Sequence, residues 1–232
     1  MSNADKRDRL PRVAVCLSGA PRIGKSTLEI LFGQLCSYGQ CDIFASVWHS
    51  SRYDDINLQK TLLSLTCDRI KVAVVEFPEE FKPSVLHEYV KAPPTKVDNV
   101  FRMYLGIQRC NSLAQEYAAA YGIEYDYIVR ARTDVVINKV FNFDEYADTL
   151  ANHLVMPDNG WGDYGINDQF AVAKPHLMTI YADLFNYLDY YTTLPEPGIF
   201  MHPETLLGVH LQRNNVPIER AAFQSVLVRD LI

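Results

Sequence analysis

The chain has 232 residues, 48% hydrophobic and 22% charged, enough for one large domain or at most two small ones around a sizeable core. A net charge of −6 and a pI of about 5.5 argue against a general nucleic-acid-binding surface, though they leave room for a local basic cleft. No apolar run approaches the ~18 residues of a membrane-spanning helix and no secretory signal is visible, so a cytoplasmic protein is expected.

Residues 1–11 are polar and charged and read as a disordered lead-in. The apolar run Val13–Leu17 predicts a short buried strand. Leu28, Leu31 and Leu35 recur at helical spacing between Ser26 and Tyr38, with Gly39 expected to stop that helix. The runs 41–48 (CDIFASVW) and 70–77 (IKVAVVEF) are rich in β-formers, and the two prolines of 91–96 predict a loop. The longest helix is expected between Asp98 and Gly122, with Val100, Met103, Ile107, Ala114, Tyr117 and Tyr121 on one face. A strand is expected over 125–137, another within 167–175, helices over 176–190 and 203–213, and an edge strand over 225–228. Strands alternating with helices predict an α/β sandwich with a mainly parallel sheet, a single domain over 12–232. The five cysteines, at 16, 36, 41, 67 and 110, show no C-x-x-C spacing and read as buried free thiols in a reducing compartment.

Three stretches carry candidate chemistry. Gly19 to Ser26 (GAPRIGKS) satisfies the phosphate-loop pattern G-x-x-x-x-G-K-[ST] between a strand and a helix, so Lys25 and Ser26 would meet phosphate and magnesium in a small-molecule kinase. That reading also needs a second strand ending in a magnesium-positioning aspartate, and the run 70–77 ends in Glu76 and Phe77 instead. The strand YIVRARTDVVI is unusual in the opposite sense. Alternation puts Arg130, Arg132 and Asp134 on one face where a central parallel strand should be apolar. The charges either form an internal ion-pair ladder or line a cleft where arginines meet a diphosphate and Asp134 a divalent metal. Finally, 156–170 (MPDNGWGDYGINDQF) is rich in glycine, aromatics and aspartates. Trp161 and Tyr164 offer flat faces suited to sugar rings, and Asp168 stands at a loop-to-strand junction, as a turn cap or as a rigidly held catalytic carboxylate. His202 and His210 lack a partner at metal-ligand spacing and read as structural or surface residues.

Taken in order, VAVCLSGAPR, CDIFASVWH, YDYIVRARTDVVI, INDQFAVAKP and HPETLLGVHL resemble the small glycosyltransferases of GT-A type found in bacteria and large viruses, often in surface-polysaccharide loci. The resemblance runs from about Arg12 to Arg220. It implies a GT-A-like, Rossmann-like single-domain sandwich, a nucleotide-sugar donor and a glycan or other hydroxyl acceptor. The family's opening S-G-x-x-R matches Ser18, Gly19 and Arg22, which makes Gly24-Lys25-Ser26 a coincidence. With Arg132 and Asp134 these residues would hold the donor. Where the family carries D-x-D for Mn²⁺ or Mg²⁺, this sequence reads Arg132-Thr133-Asp134, leaving Asp134 as the one metal candidate and Arg132 able to neutralise the diphosphate directly. Asp168 becomes the candidate general base of an inverting reaction, with Trp161, Asp163 and Tyr164 on the acceptor side. Two alternatives remain open: the phosphate-loop kinase, and a carbohydrate-binding module without catalysis.

Overall fold

The structure is a computed structural model and describes residues 9–20, 22, 25–49, 70–76, 82, 97–160, 165–194 and 201–228. Among the described residues, nine strands and five α-helices follow in the order β1 (Arg12–Gly19), α1 (Lys25–Cys36), β2 (Gln40–Trp48), β3 (Ile70–Glu76), α2 (Val97–Tyr121), β4 (Tyr127–Arg132), β5 (Val135–Ile137), a 3₁₀ turn (Phe143–Tyr146) leading into α3 (Ala147–Leu150), β6 (Leu154–Pro157), β7 (Phe170–Ala173), α4 (Pro175–Thr192), α5 (Pro203–Arg213), β8 (Ile218–Ala221) and β9 (Ser225–Leu227). The fold is mixed α/β. Seven strands form a mostly parallel sheet in the order β3-β2-β1-β4-β7-β6-β8, and β5 pairs with β9 in a small second sheet. Only β7 runs against its neighbours, antiparallel to both β4 and β6.

The central strands are apolar on both faces because both faces are covered. Val13, Val15 and Leu17 of β1 point into the core made with α1 and the 3₁₀ turn, while Ala14 and Cys16 point into the core under α2, α4 and α5. α2 lies across β1 and β2, and Cys110 fixes it there by donating to Leu17 O at 3.4 Å and Phe44 O at 3.3 Å. No described helix is long and apolar enough to cross a membrane.

Three local expectations change. The run 125–137 is two strands, since the chain turns at Thr133–Asp134 and β5 leaves the main sheet to meet β9. Asp134 therefore does not continue the strand face that carries Arg130 and Arg132. Gly39 is no left-handed helix stop. Its φ is not positive, and a Cβ there would press on Phe143 and Val13 at 3.1 Å, so glycine serves close packing. Tyr121 is exposed and only Val100, Ile107 and Ala114 of the expected helix face are fully buried. Two further strands of four residues each, β6 and β8, join the sheet beyond β7. The 91–96 loop lies outside the described residues.

Candidate active site at the switch point of the sheet

α1 follows β1 on one face of the sheet and α2 precedes β4 on the other, so the strand order turns back between β1 and β4, the switch point at which an open α/β sheet usually has its ligand crevice. The register puts Ser18 beside Arg132 and Cys16 beside Arg130. Gly19 ends β1 at φ +132°, a conformation open to glycine and strained for other residues. Just beyond it, Ala20 O accepts from Thr133 Oγ1 at 2.5 Å, tying the β1 loop to the β4 turn.

Asp134 sits in this turn with 1% exposure. Arg132 grips it in fork geometry, Nε to Oδ1 at 2.8 Å and Nη2 to Oδ2 at 2.9 Å. Arg22, 43% exposed, approaches Oδ2 at 3.7 Å from the β1 loop. The ladder reading of the sequence is thus present between Arg132 and Asp134, and it sits at the crevice rim, where the cleft reading also put it. Each Asp134 oxygen accepts one hydrogen bond from Arg132, which leaves a lone pair on each but sets a guanidinium charge beside it. Among the described residues no group of three or more His, Cys, Asp or Glu is arranged to hold a metal ion. Among the described residues, the two guanidiniums beside Asp134 oppose a Mn²⁺ or Mg²⁺ ion there.

Beside this rim lies a buried polar nest. Because β7 is antiparallel, its start meets the end of β4: Arg132 N donates to Gln169 O at 3.0 Å and Arg130 Nη1 donates to the same oxygen at 3.0 Å. Asp168 precedes Gln169 and is buried. Burial raises its carboxyl above the ordinary range, while Arg130, Arg132 and His202 pull it back. Tyr181 of α4 reaches Asp168 O at 3.5 Å and Tyr104 of α2 donates to Pro203 O at 2.7 Å. Burial first, and the neighbouring Asp168 charge among other causes, push both phenols up.

The start of α5 joins the nest through glycine. Gly165 has φ +131°, and a Cβ there would overlap the Glu204 carbonyl, so only glycine lets the loop approach α5 this closely. Ile166 N then donates to Glu204 O at 3.4 Å. Glu204 is brought near Asp168, and burial together with that charge pushes its carboxyl up to about 7. His202, 3.9 Å from Glu204 Oε2 through Nδ1, is pushed down by burial against the opposing pull of Asp168. The ends of the preceding loop are pinned: Asn167 Nδ2 donates to Asn159 O at 2.8 Å and Ser225 Oγ at 3.0 Å, and Asn159 Nδ2 donates to Ser225 O at 2.7 Å.

The structure therefore gathers Ser18, Gly19, Arg22, Arg132, Asp134 and Asp168 at one edge of the sheet. Trp161, Asp163 and Tyr164 lie outside the described residues, as does most of the chain between Ala20 and Lys25. Lys25 and Ser26 begin α1. His210 is structural: its ring lies between Tyr191 Oη at 2.9 Å and Ile180 O at 2.8 Å. Glu204, Tyr104 and Tyr181 were not singled out from sequence. Glu204 stands in the first turn of a helix, where an acidic residue is favourable in any case, and both tyrosines fall on apolar helix faces, where a phenol reads as core.

A family model, the domain of unknown function DUF7796, matches residues 8–191. The chain belongs to this family. No curated protein matches it. The DUF7796 match covers β1 to the last turn of α4, and so includes Arg22, Arg132, Asp134 and Asp168, whereas His202, Glu204 and the pinning Ser225 lie beyond it.

Proposed function

We propose that this DUF7796 protein is a glycosyltransferase of GT-A type that moves a sugar from a nucleoside-diphosphate donor to a hydroxyl acceptor. The observation that carries the reading is the Arg22–Asp134–Arg132 group at the β1–β4 crevice: two guanidiniums on one carboxylate, one of them half-exposed. A diphosphate presents the same fork-accepting oxygens as Asp134 with more charge, so it can take over part of the arginines' hydrogen bonding on binding. Gly19 lets the β1 loop pass close to it.

In the reaction the acceptor oxygen attacks the anomeric carbon and forms the new C–O bond. The bond to the diphosphate breaks and the diphosphate leaves with the electron pair, its growing charge held by Arg22 and Arg132. If the anomeric centre inverts, the acceptor's proton goes to Asp168, which burial makes a stronger base than a solvated aspartate. Trp161, Asp163 and Tyr164 supply the acceptor side. The arginines carry the charge neutralisation that a metal would otherwise provide, so the reaction is expected to proceed in EDTA.

Calorimetry with UDP-, GDP- and CMP-sugars and ATP, each with and without Mn²⁺, tests this. Micromolar binding of a nucleotide sugar that Arg22→Ala and Arg132→Ala weaken at least about tenfold supports the reading. Tight ATP binding lost in Lys25→Ala would put the phosphate-loop kinase in its place, and binding of free sugar alone would favour a carbohydrate-binding module.

A further inference from the structure

Glu204 is brought to Asp168 by backbone contacts from two sides. The loop ahead of β7 presses on it, since a Cβ at Gly165 would overlap the Glu204 carbonyl and Ile166 N donates to Glu204 O at 3.4 Å. From the other side Tyr104 Oη donates to Pro203 O at 2.7 Å and ties the head of α5 to α2. Two carboxyls thus share one corner, Asp168 with 5% exposure and Glu204 with a side chain 22% exposed. No described lysine or arginine pairs with Glu204. Its ion-pair contact is His202 Nδ1 at 3.9 Å, and burial holds that imidazole toward its neutral form. The other charged and titratable groups facing the corner are Arg130 and Arg132 of β4, which pull on Asp168, and Tyr104 and Tyr181, whose phenols burial keeps protonated. Bringing two like charges together costs stability, and a neutral side chain at 204 would keep the same backbone contacts.

We propose that Glu204 is a positioning residue of the transfer reaction, a second carboxylate that acts through Asp168 and strengthens it as the base that takes the acceptor's proton. The inference rests on the glycosyltransferase reading, in which Asp168 is that base. The interaction between the two charges is mutual: Asp168 raises Glu204, and an ionised Glu204 raises the proton affinity of Asp168 in turn. Below a pH of about 7 the pair shares one proton, and Asp168 is occupied part of the time. Above it both carboxyls are ionised, and Asp168 is then free and at its most basic. The partial exposure of Glu204 lets this shared proton exchange with water, which the buried Asp168 does less readily.

Hydrolysis of UDP-glucose, UDP-N-acetylglucosamine and GDP-mannose by the full chain tests this, with water standing in for the acceptor and a thermal melt reporting the fold of each variant. The water oxygen bonds to the anomeric carbon, its proton goes to Asp168, and the nucleoside diphosphate leaves with the electron pair and is measured. The native rate is expected to rise along a limb near pH 7. Glu204→Gln should move that limb down by about one pH unit or more and lower the rate at pH 8.5 about 3–10-fold, so that the two profiles cross. Glu204→Asp should restore part of the limb. A purely structural Glu204 would scale the whole profile and leave the limb in place. The carboxylic-acid infrared band gives a readout without turnover: it should fade near pH 7 in the native protein and at lower pH in Asp168→Asn. If donor is hydrolysed but the native and Glu204→Gln profiles differ only by a constant factor, or Asp168→Asn leaves the infrared titration in place, the pairing is wrong and the crevice reading stands. If none of the three donors is bound or hydrolysed, both are wrong.

Discussion

At the crevice rim Arg132 meets Asp134 in a fork and keeps part of its surface in solvent, whereas two register positions deeper on the same strand Arg130 is buried, donates to a backbone carbonyl, and faces Asp168 without an ion pair among the described residues. Two guanidiniums two residues apart are thus held in opposite ways. The outer one can trade its carboxylate for another anion, because solvent is at hand to cover the exchange. The inner one cannot, because a buried charge with a lost partner has no water to turn to. The rim is arranged for exchange and the nest for fixed charge.

The largest test of this contrast is Arg130→Leu. It leaves Asp168 buried beside less positive charge and should cost about 3–5 kcal/mol, read as a urea midpoint shift at unchanged m. Asp134→Asn should cost less, about 2–3 kcal/mol, because Arg132 is partly solvated and recovers some hydration. Equal losses would mean that both arginines are structural and would erase the distinction.

Gly165→Ala attacks the joint between loop and nest. With φ at +131° and the Glu204 backbone in the way, it should cost about 2 kcal/mol and lower the raised Glu204 titration, since α5 would be pushed from Asp168. The Glu204 titration itself gives a signed prediction. A carboxyl whose folded value is about 7 holds a proton that the unfolded chain releases near its ordinary value of 4.5. The folded state therefore binds more protons between these limits, and stability falls as pH rises through that window. Glu204→Gln should flatten the fall, so that the variant gains on the native protein between pH 5 and pH 7.5 in paired thermal melts.

Arg22→Ala should have the smallest effect on stability, within about 1 kcal/mol, since the side chain is 43% exposed and its contact with Asp134 is long. A loss as large as that of Asp134→Asn would make the rim a structural lock.

The central parallel sheet was legible because buried strands print as apolar runs and the helices between them as periodic leucines. The charges of 130, 132 and 134 were legible as an anomaly, yet their arrangement was not. Alternation along one strand put all three on one face, while the turn at Thr133 takes Asp134 out of the strand and Arg132 bends back to hold it. Glu204 was invisible for a different reason. It meets Asp168 only because Gly165 allows a backbone contact with the head of α5, and a contact between residues so far apart leaves no local periodicity. Gly39 shows the converse, a signal of the right kind with a different cause: packing against Phe143 and Val13 in place of a left-handed cap.

The turn that holds Asp134 is also closed from far along the chain. Val228 N donates to Asp134 O at 2.8 Å, and β9 is the only strand paired with β5 in the described structure. Roughly ninety residues separate the two ends of this closure, so the loop entropy is spent before the contact rewards it, and long-range closures of this kind form late in folding. A ribosome making this chain domain-first would lay down β1, α2 and β4 well before the segment that secures the rim. The β5–β9 closure is therefore expected to form late, and a nascent or truncated chain ending short of Ser225 would lack the strand that closes the Asp134 turn.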